Sequence, residues 1–141
     1  MAETLSLPAP TPTGDSKEYW SAANDGRLIL RACRTCGKPM FYPRGHCPAC
    51  GSGDLEWREA SGEGVVHACT IVHRAPDQAF RARAPYVIAL VDLKEGPRMM
   101  ANITDCPPEE VRIGMPVTVW FEARSETIAI PQFRPAQGEK K

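Results

Sequence analysis

Two short segments carry the same spelling, Cys33-Arg34-Thr35-Cys36-Gly37 and Cys47-Pro48-Ala49-Cys50-Gly51, each a C-x-x-C-G. Two thiolates separated by two residues reach one ion from a single tight turn. The glycine after each pair accepts a positive φ and aims backbone N–H groups at the sulfurs. Such donors spread the thiolate charge and fix the ligand geometry. The ten residues from Gly37 to His46 are enough to bring the two knuckles together. Four thiolates with no open position mark a structural metal site. Zinc fits, and the spacing alone does not separate it from iron. The alternative, ordinary buried or disulfide-bonded cysteines, accounts poorly for two matched knuckles. His46 adjoins Cys47, but the tetrahedron is complete without it, so it is read as a neighbour of the site or a surface residue.

The rest of the chain must supply a core around this site. It has 141 residues, 43% of them hydrophobic and 24% charged, a globular composition with room for one ordinary domain or two very small ones. Lys plus Arg equals Asp plus Glu, 17 each. A nucleic-acid binder usually carries a basic excess, because phosphate neutralisation supplies most of its non-specific affinity, so zero net charge speaks against that partner. The charges are unevenly spread. Arg27, Arg31, Arg34, Lys38 and Arg44 stand without an acid between Gly26 and Gly53, and Asp54, Glu56, Glu59 and Glu63 come next against Arg58. The N-terminus has no basic start and no apolar core, and no run approaches the ~18 apolar residues of a membrane span. The expectation is a cytoplasmic protein with no membrane partner. In a reducing compartment six cysteines suggest metal ligation before disulfides.

Residues 1–14 hold three prolines among small residues and read as a flexible tail. Asp15, with Glu18 three positions on, reads as the N-cap of a short helix that stops at Gly26. Tyr19, Trp20 and Ala23 share one side of that helix, which is too short to stand alone and must dock on something. RLILRAC leads into the cysteines and LEWREAS returns from them. From Gly64 onward the pattern is all β: GVVHACTIVHR alternates, YVIALVDL reads as a strand buried on both faces, and PRMMANIT, PVTVWFEA and TIAIPQF complete a set of five. Five strands at this spacing suggest a small closed barrel. The division expected is 15–60 for helix and metal-binding ribbon, 61–135 for the barrel, and 136–141 for a second flexible tail.

Other chemistry is sparse. His67, Cys69 and His73 are even numbers of residues apart and would share a face of the first barrel strand, but no acid partner or nucleophile motif accompanies them. Cys106, before Pro107-Pro108, reads as packing. No catalytic residue is assigned, and catalysis by this chain alone is not expected. Arg81 and Arg83, in the loop between the first two barrel strands, together with Arg98, would suit the phosphates of a nucleotide-like ligand.

These residues carry a resemblance. The helix with Tyr19-Trp20, GRLILRACRTCGKPMFYPRGHCPACGS with Tyr42-Pro43-Arg44 inside it, GEGVVHACTIVHR, PYVIALVDLKEGPRMMANI, VRIGMPVTVWFEA and PQFRP are similar in order to the DUF35 family, from about Lys17 to Pro135. That resemblance implies a mainly β chain, an N-terminal helix and rubredoxin-like zinc ribbon followed by a five-stranded OB-fold barrel. It implies a structural zinc on Cys33, Cys36, Cys47 and Cys50. It also implies a non-catalytic accessory subunit of a thiolase-superfamily enzyme (thiolase, acyltransferase or aldolase), docked on the large subunit and assisting acyl-CoA binding. The expected docking residues are Tyr19 and Trp20, beside the basic ribbon, and the expected coenzyme A residues are Arg81, Arg83 and Arg98. A single-stranded nucleic-acid-binding protein is the alternative, disfavoured by the charge balance and by few aromatics to stack bases.

Overall fold

The structure, a computed structural model, describes residues 7–136. The outer parts of the two expected tails, 1–6 and 137–141, lie outside the described residues. Residues 7–14 form neither helix nor strand, and helix α1 spans Lys17–Asn24. Its N-cap is Ser16 rather than Asp15, and no capping box forms. The Ser16 hydroxyl turns back instead, accepting from the Thr13 N–H at 3.0 Å and lying 3.0 Å from the Thr13 hydroxyl. The helix does stop at Gly26, whose φ of 81° lets the Arg27 N–H return to the Ala22 carbonyl at 2.9 Å.

Strands β1 (Ile29–Cys33), β2 (Pro39–Met40) and β3 (Leu55–Glu59) form an antiparallel sheet in the order β2-β1-β3. The charge reversal seen in the sequence has its cause here. β1 lies beside β3, so Arg34 meets Asp54 and Glu56 at 3.2 and 3.4 Å, and Arg27 reaches Glu59 at 3.9 Å. The ribbon is therefore not a uniformly basic surface.

Strands β4 (Glu63–Val72), β5 (Tyr86–Leu93), β6 (Arg98–Ile103), β7 (Pro116–Ala123) and β8 (Ala129–Pro135) close into a barrel in the order β4-β5-β6-β8-β7. This is the five-stranded Greek-key order of an OB-fold. Its interior holds Val66, Val87, Val91, Val117 and Phe133, each 1% exposed or less. The β5 run was expected to be buried on both faces. It alternates instead, with Val87, Ala89, Val91 and Leu93 inside and Tyr86, Ile88, Leu90 and Asp92 half-buried outside. One apolar cluster joins Tyr19, Trp20, Leu28 and Leu30 to the barrel residues Val66, Val87 and Phe133, so helix, ribbon and barrel share a core. Among the described residues, no helix is long and apolar enough to cross a membrane.

β4 carries a bulge. Val66 pairs with Val91 and Ala68 with Leu90, leaving His67 as an extra residue. Beyond it the alternation changes phase. Cys69 and Ile71 turn toward the core, while His67 stays outside against Asp92, Nδ1 to Oδ2 3.4 Å. The expectation of His67, Cys69 and His73 on one face is thereby corrected.

Candidate metal centre

β1 delivers Cys33 to the floor of the site and a turn returns Cys36 above it. The Gly37 N–H bonds the Cys33 carbonyl at 2.8 Å, and the Cys36 N–H points at the Cys33 sulfur at 3.4 Å. The second knuckle repeats the first. The Gly51 N–H bonds the Cys47 carbonyl at 2.8 Å, and the Ala49 N–H points at the Cys47 sulfur at 3.3 Å. Gly37 and Gly51 both have φ of 83°, a backbone that a side chain rarely tolerates.

The four sulfurs lie within 4.8 Å of one another. The Cys33–Cys50 and Cys36–Cys47 separations are 3.6 and 3.7 Å, too long for disulfide bonds, and all four cysteines are free. Sulfurs ~2.3 Å from a tetrahedral zinc stand about 3.8 Å apart, so the spacing fits an ion at the centre. The thiols also compete for protons. The Cys36 N–H draws the Cys33 thiol down to about 6, and the Cys50 N–H lowers Cys47. At Cys50 the Ser52 N–H lowers the thiol, but sharing with Cys33 and burial carry it up to about 11. A divalent cation at the centre would favour the thiolate form of all four sulfurs. His46 is exposed, with its ring against Gly53, and is no part of the sulfur cluster.

The other expected site residues are scattered. Tyr19 and Trp20 are 2% and 8% exposed, in edge-on contact with each other, and Tyr19 meets Phe41 and Tyr42. This chain's own core consumes them, and burial holds the Tyr19 phenol above its usual range. Their assignment as a docking surface is corrected on that ground. The exposed member of the cluster is Tyr42. Arg83 forms a two-pronged ion pair with Glu122, and Arg98 does so with Asp92, with Nε 2.6 Å from Oδ1. Arg81 has no carboxylate partner among the described residues, and its Nε bonds the Ala75 carbonyl at 3.3 Å. Arg81 and Arg83 precede β5 while Arg98 comes after it, so they sit at opposite ends of a strand roughly 25 Å long. The three arginines do not form one site.

One polar cluster escaped the sequence. Gln132, 3% exposed, donates through Nε2 to Asn102 Oδ1 and Glu122 Oε1 at 3.2 and 3.1 Å. Glu122 lies between Arg83 and Arg124. Burial opposes its charge, but Arg83, Gln132 and Arg124 hold the carboxyl below its usual range. The partners come from β6, β7, β8 and the loop 78–83, and no local spacing announces them. Burial and the charges of Glu110 and Asp105 raise the Cys106 thiol above its usual range.

Comparison with known proteins finds two adjoining family matches. Residues 20–56 match the family model of the ChsH2 rubredoxin-like zinc ribbon domain, and residues 57–122 that of the ChsH2 C-terminal OB-fold domain. A DUF35 domain-containing scaffold protein of Methanocaldococcus jannaschii is 42% identical over 100 residues, 70% of each chain. A probable enoyl-CoA hydratase alpha subunit of Thermomonospora curvata is 40% identical over 131 residues. That alignment covers 92% of this chain and 40% of the relative, so this chain spans well under half of the hydratase subunit's length. Among solved structures, a chain of the Ltp2-ChsH2(DUF35) aldolase superposes with a TM-score of 0.80 at 36% identity, covering 89% of this chain and 98% of that one. Sequence, cysteine geometry and barrel order converge: the chain belongs to the DUF35 family, built as a rubredoxin-like zinc ribbon followed by an OB-fold.

Proposed function

We propose that this protein is a non-catalytic accessory subunit of a thiolase-like acyl-CoA enzyme, a thiolase, acyltransferase or aldolase. In this reading the helix and zinc ribbon, residues 15–60, dock on the larger subunit, and the OB-fold, 61–135, lies beside bound acyl-CoA. The observation that carries it is the near-complete superposition on a chain of the Ltp2-ChsH2(DUF35) aldolase. The scaffold and hydratase-subunit relatives point the same way, toward assemblies rather than a free-standing enzyme. Cys33, Cys36, Cys47 and Cys50 hold one zinc, which supplies folding energy and no open coordination position. Exposed Tyr42, with Lys38 and Arg44 near it in sequence, replaces Tyr19 and Trp20 as the docking candidate.

Isolation of the native protein tests this directly. It is expected to come with a thiolase-like companion and about one zinc per chain. A monomer without such a companion that binds single-stranded DNA overturns the reading, and a red, iron-containing protein overturns the metal.

Coenzyme A contact is narrowed by the ion pairs. Arg83 and Arg98 are engaged by carboxylates, whereas Arg81 keeps its charge for a phosphate. Arg81→Ala is expected to weaken CoA affinity of the complex at least tenfold, ~1.4 kcal/mol, while Arg98→Ala leaves it within about twofold, ~0.4 kcal/mol. Isothermal titration reads both. Equal affinities in wild type and Arg81→Ala would remove Arg81 from the site.

A further inference from the structure

The barrel is seamed unevenly. β6 and β8 run parallel and pair at one position, Ile103 with Phe133, where the Thr104 N–H donates to the Phe133 carbonyl at 2.8 Å. Extending that ladder one step would require an N–H from position 131 to reach the Met100 carbonyl. Position 131 is proline and has none. A side chain intervenes instead: the Asn102 N–H donates to Gln132 Oε1 at 3.0 Å. Beyond it no further β6–β8 pair forms among the described residues.

The Asn102 N–H turns away from β5, so its alternate neighbours Met100 and Arg98 do the same. Both stand opposite β5 residues, Leu90 and Asp92, as pairs that exchange no backbone hydrogen bond. The Met100 N–H and C=O therefore face the opening, where β6 and β8 pair only at Ile103 with Phe133 among the described residues. The Met100 side chain is 66% exposed. The opening is lined by Tyr86, Ile88, Met100, Ile130 and Pro131, with Arg124 at its side. Arg83 and Arg124 share the single carboxylate of Glu122, which leaves one positive charge beside the groove. Arg124, with 9% of its side chain exposed, has a buried Nε without a partner.

We propose that β6 is a docking edge, on which an extended segment of the larger subunit adds as a further strand. The segment's backbone meets Met100, an apolar side chain enters between Met100 and Ile130, and a carboxylate completes the charge at Arg124. The backbone edge selects an extended polypeptide, the apolar lining selects its inward side chain, and the unmatched charge selects an acidic residue. This rests on the accessory-subunit reading, which supplies the larger subunit.

The test uses the complex isolated with its companion. Amide exchange at Met100 is expected to slow at least 100-fold relative to the free protein. Met100→Pro removes an N–H that β5 does not use, together with the side chain, and fixes the local φ, so it should weaken companion binding at least tenfold with zinc content intact. Met100→Ala, which keeps the N–H but removes the apolar wall, should weaken binding clearly less than Met100→Pro. If Met100→Pro fails to fold, amide exchange in the wild-type complex decides alone. Unchanged Met100 exchange in an intact complex overturns the docking edge and leaves the accessory reading standing. Failure to find a companion overturns both. Slowing that tracks protein concentration in the free chain assigns the edge to a second copy. Slowing by an oligothymidylate but not by the companion assigns it to nucleic acid, and either result overturns the proposal.

Discussion

Cys36→Ser protein is expected to lose its metal and, with it, the folded knuckles. The core immediately around the knuckles is very small: Cys33, Met40 and Cys47, with Leu55 against them. So little apolar surface cannot offset the entropy of ordering the loops. A structural zinc contributes on the order of 10–16 kcal/mol in isolated zinc-finger peptides, which is why such modules are unfolded without it. Metal analysis should fall from about one zinc per chain to near zero, and amides of the two knuckles, 33–51, should exchange as in an unfolded segment. The barrel's own ladders do not pass through the sulfurs, so it should survive with a lower melting temperature. Variant protein that keeps its zinc and protected knuckles would show that the fourth thiolate is dispensable.

Phe133→Ala carries the second large effect. Phe133 is wholly buried and sits on β8 at the single residue that closes the barrel against β6. Truncation removes the ring and leaves a cavity against Val87, Ile103 and Val117, which belong to the same cluster. Such Phe-to-Ala changes cost about 3–5 kcal/mol, which lowers the melting temperature by roughly 10 °C or more in a domain of this size. Thermal unfolding of the zinc-loaded protein measures it. A drop of only a degree or two would mean that the barrel repacks around the void. Exchange at Thr104, whose N–H bonds the Phe133 carbonyl, should rise as well.

Legibility in the sequence depended on how local each signal is. The metal cysteines were readable because each knuckle is five residues of one motif. The barrel strands were readable because alternation is a short-range property, and Gly26 because its φ ends a helix on its own. The bulge at His67 was not readable: one residue inserted in a strand leaves no mark in composition and changes only the facing of later residues. Tyr19 and Trp20 were recognised as an apolar face. An eight-residue helix looks the same whether that face meets its own barrel or a partner. The Glu122 cluster was hidden because Arg83 and Gln132 lie 39 and 10 residues from it, brought together only by strand pairing. Arg83 and Arg98 were visible as charges, but the acids that neutralise them sit across a sheet or beyond a turn.

The seat of the first helix sets an order of events on the ribosome. α1 packs on β8 and β7 as well as on β1, and the Asn24 side chain reaches the Glu126 carbonyl at 3.4 Å. That helix is synthesised well before the strands that form its seat. The two knuckles need only the chain from Cys33 to Cys50, so zinc can be captured while the barrel is still being synthesised. Barrel closure waits for β8, the last strand, because β7 and β6 have no common neighbour without it. Until then Tyr19 and Trp20 stand in water, an exposed apolar pair on a nascent chain. The metal knuckle thus forms a finished N-terminal anchor onto which a late-closing barrel, and then the waiting helix, are assembled.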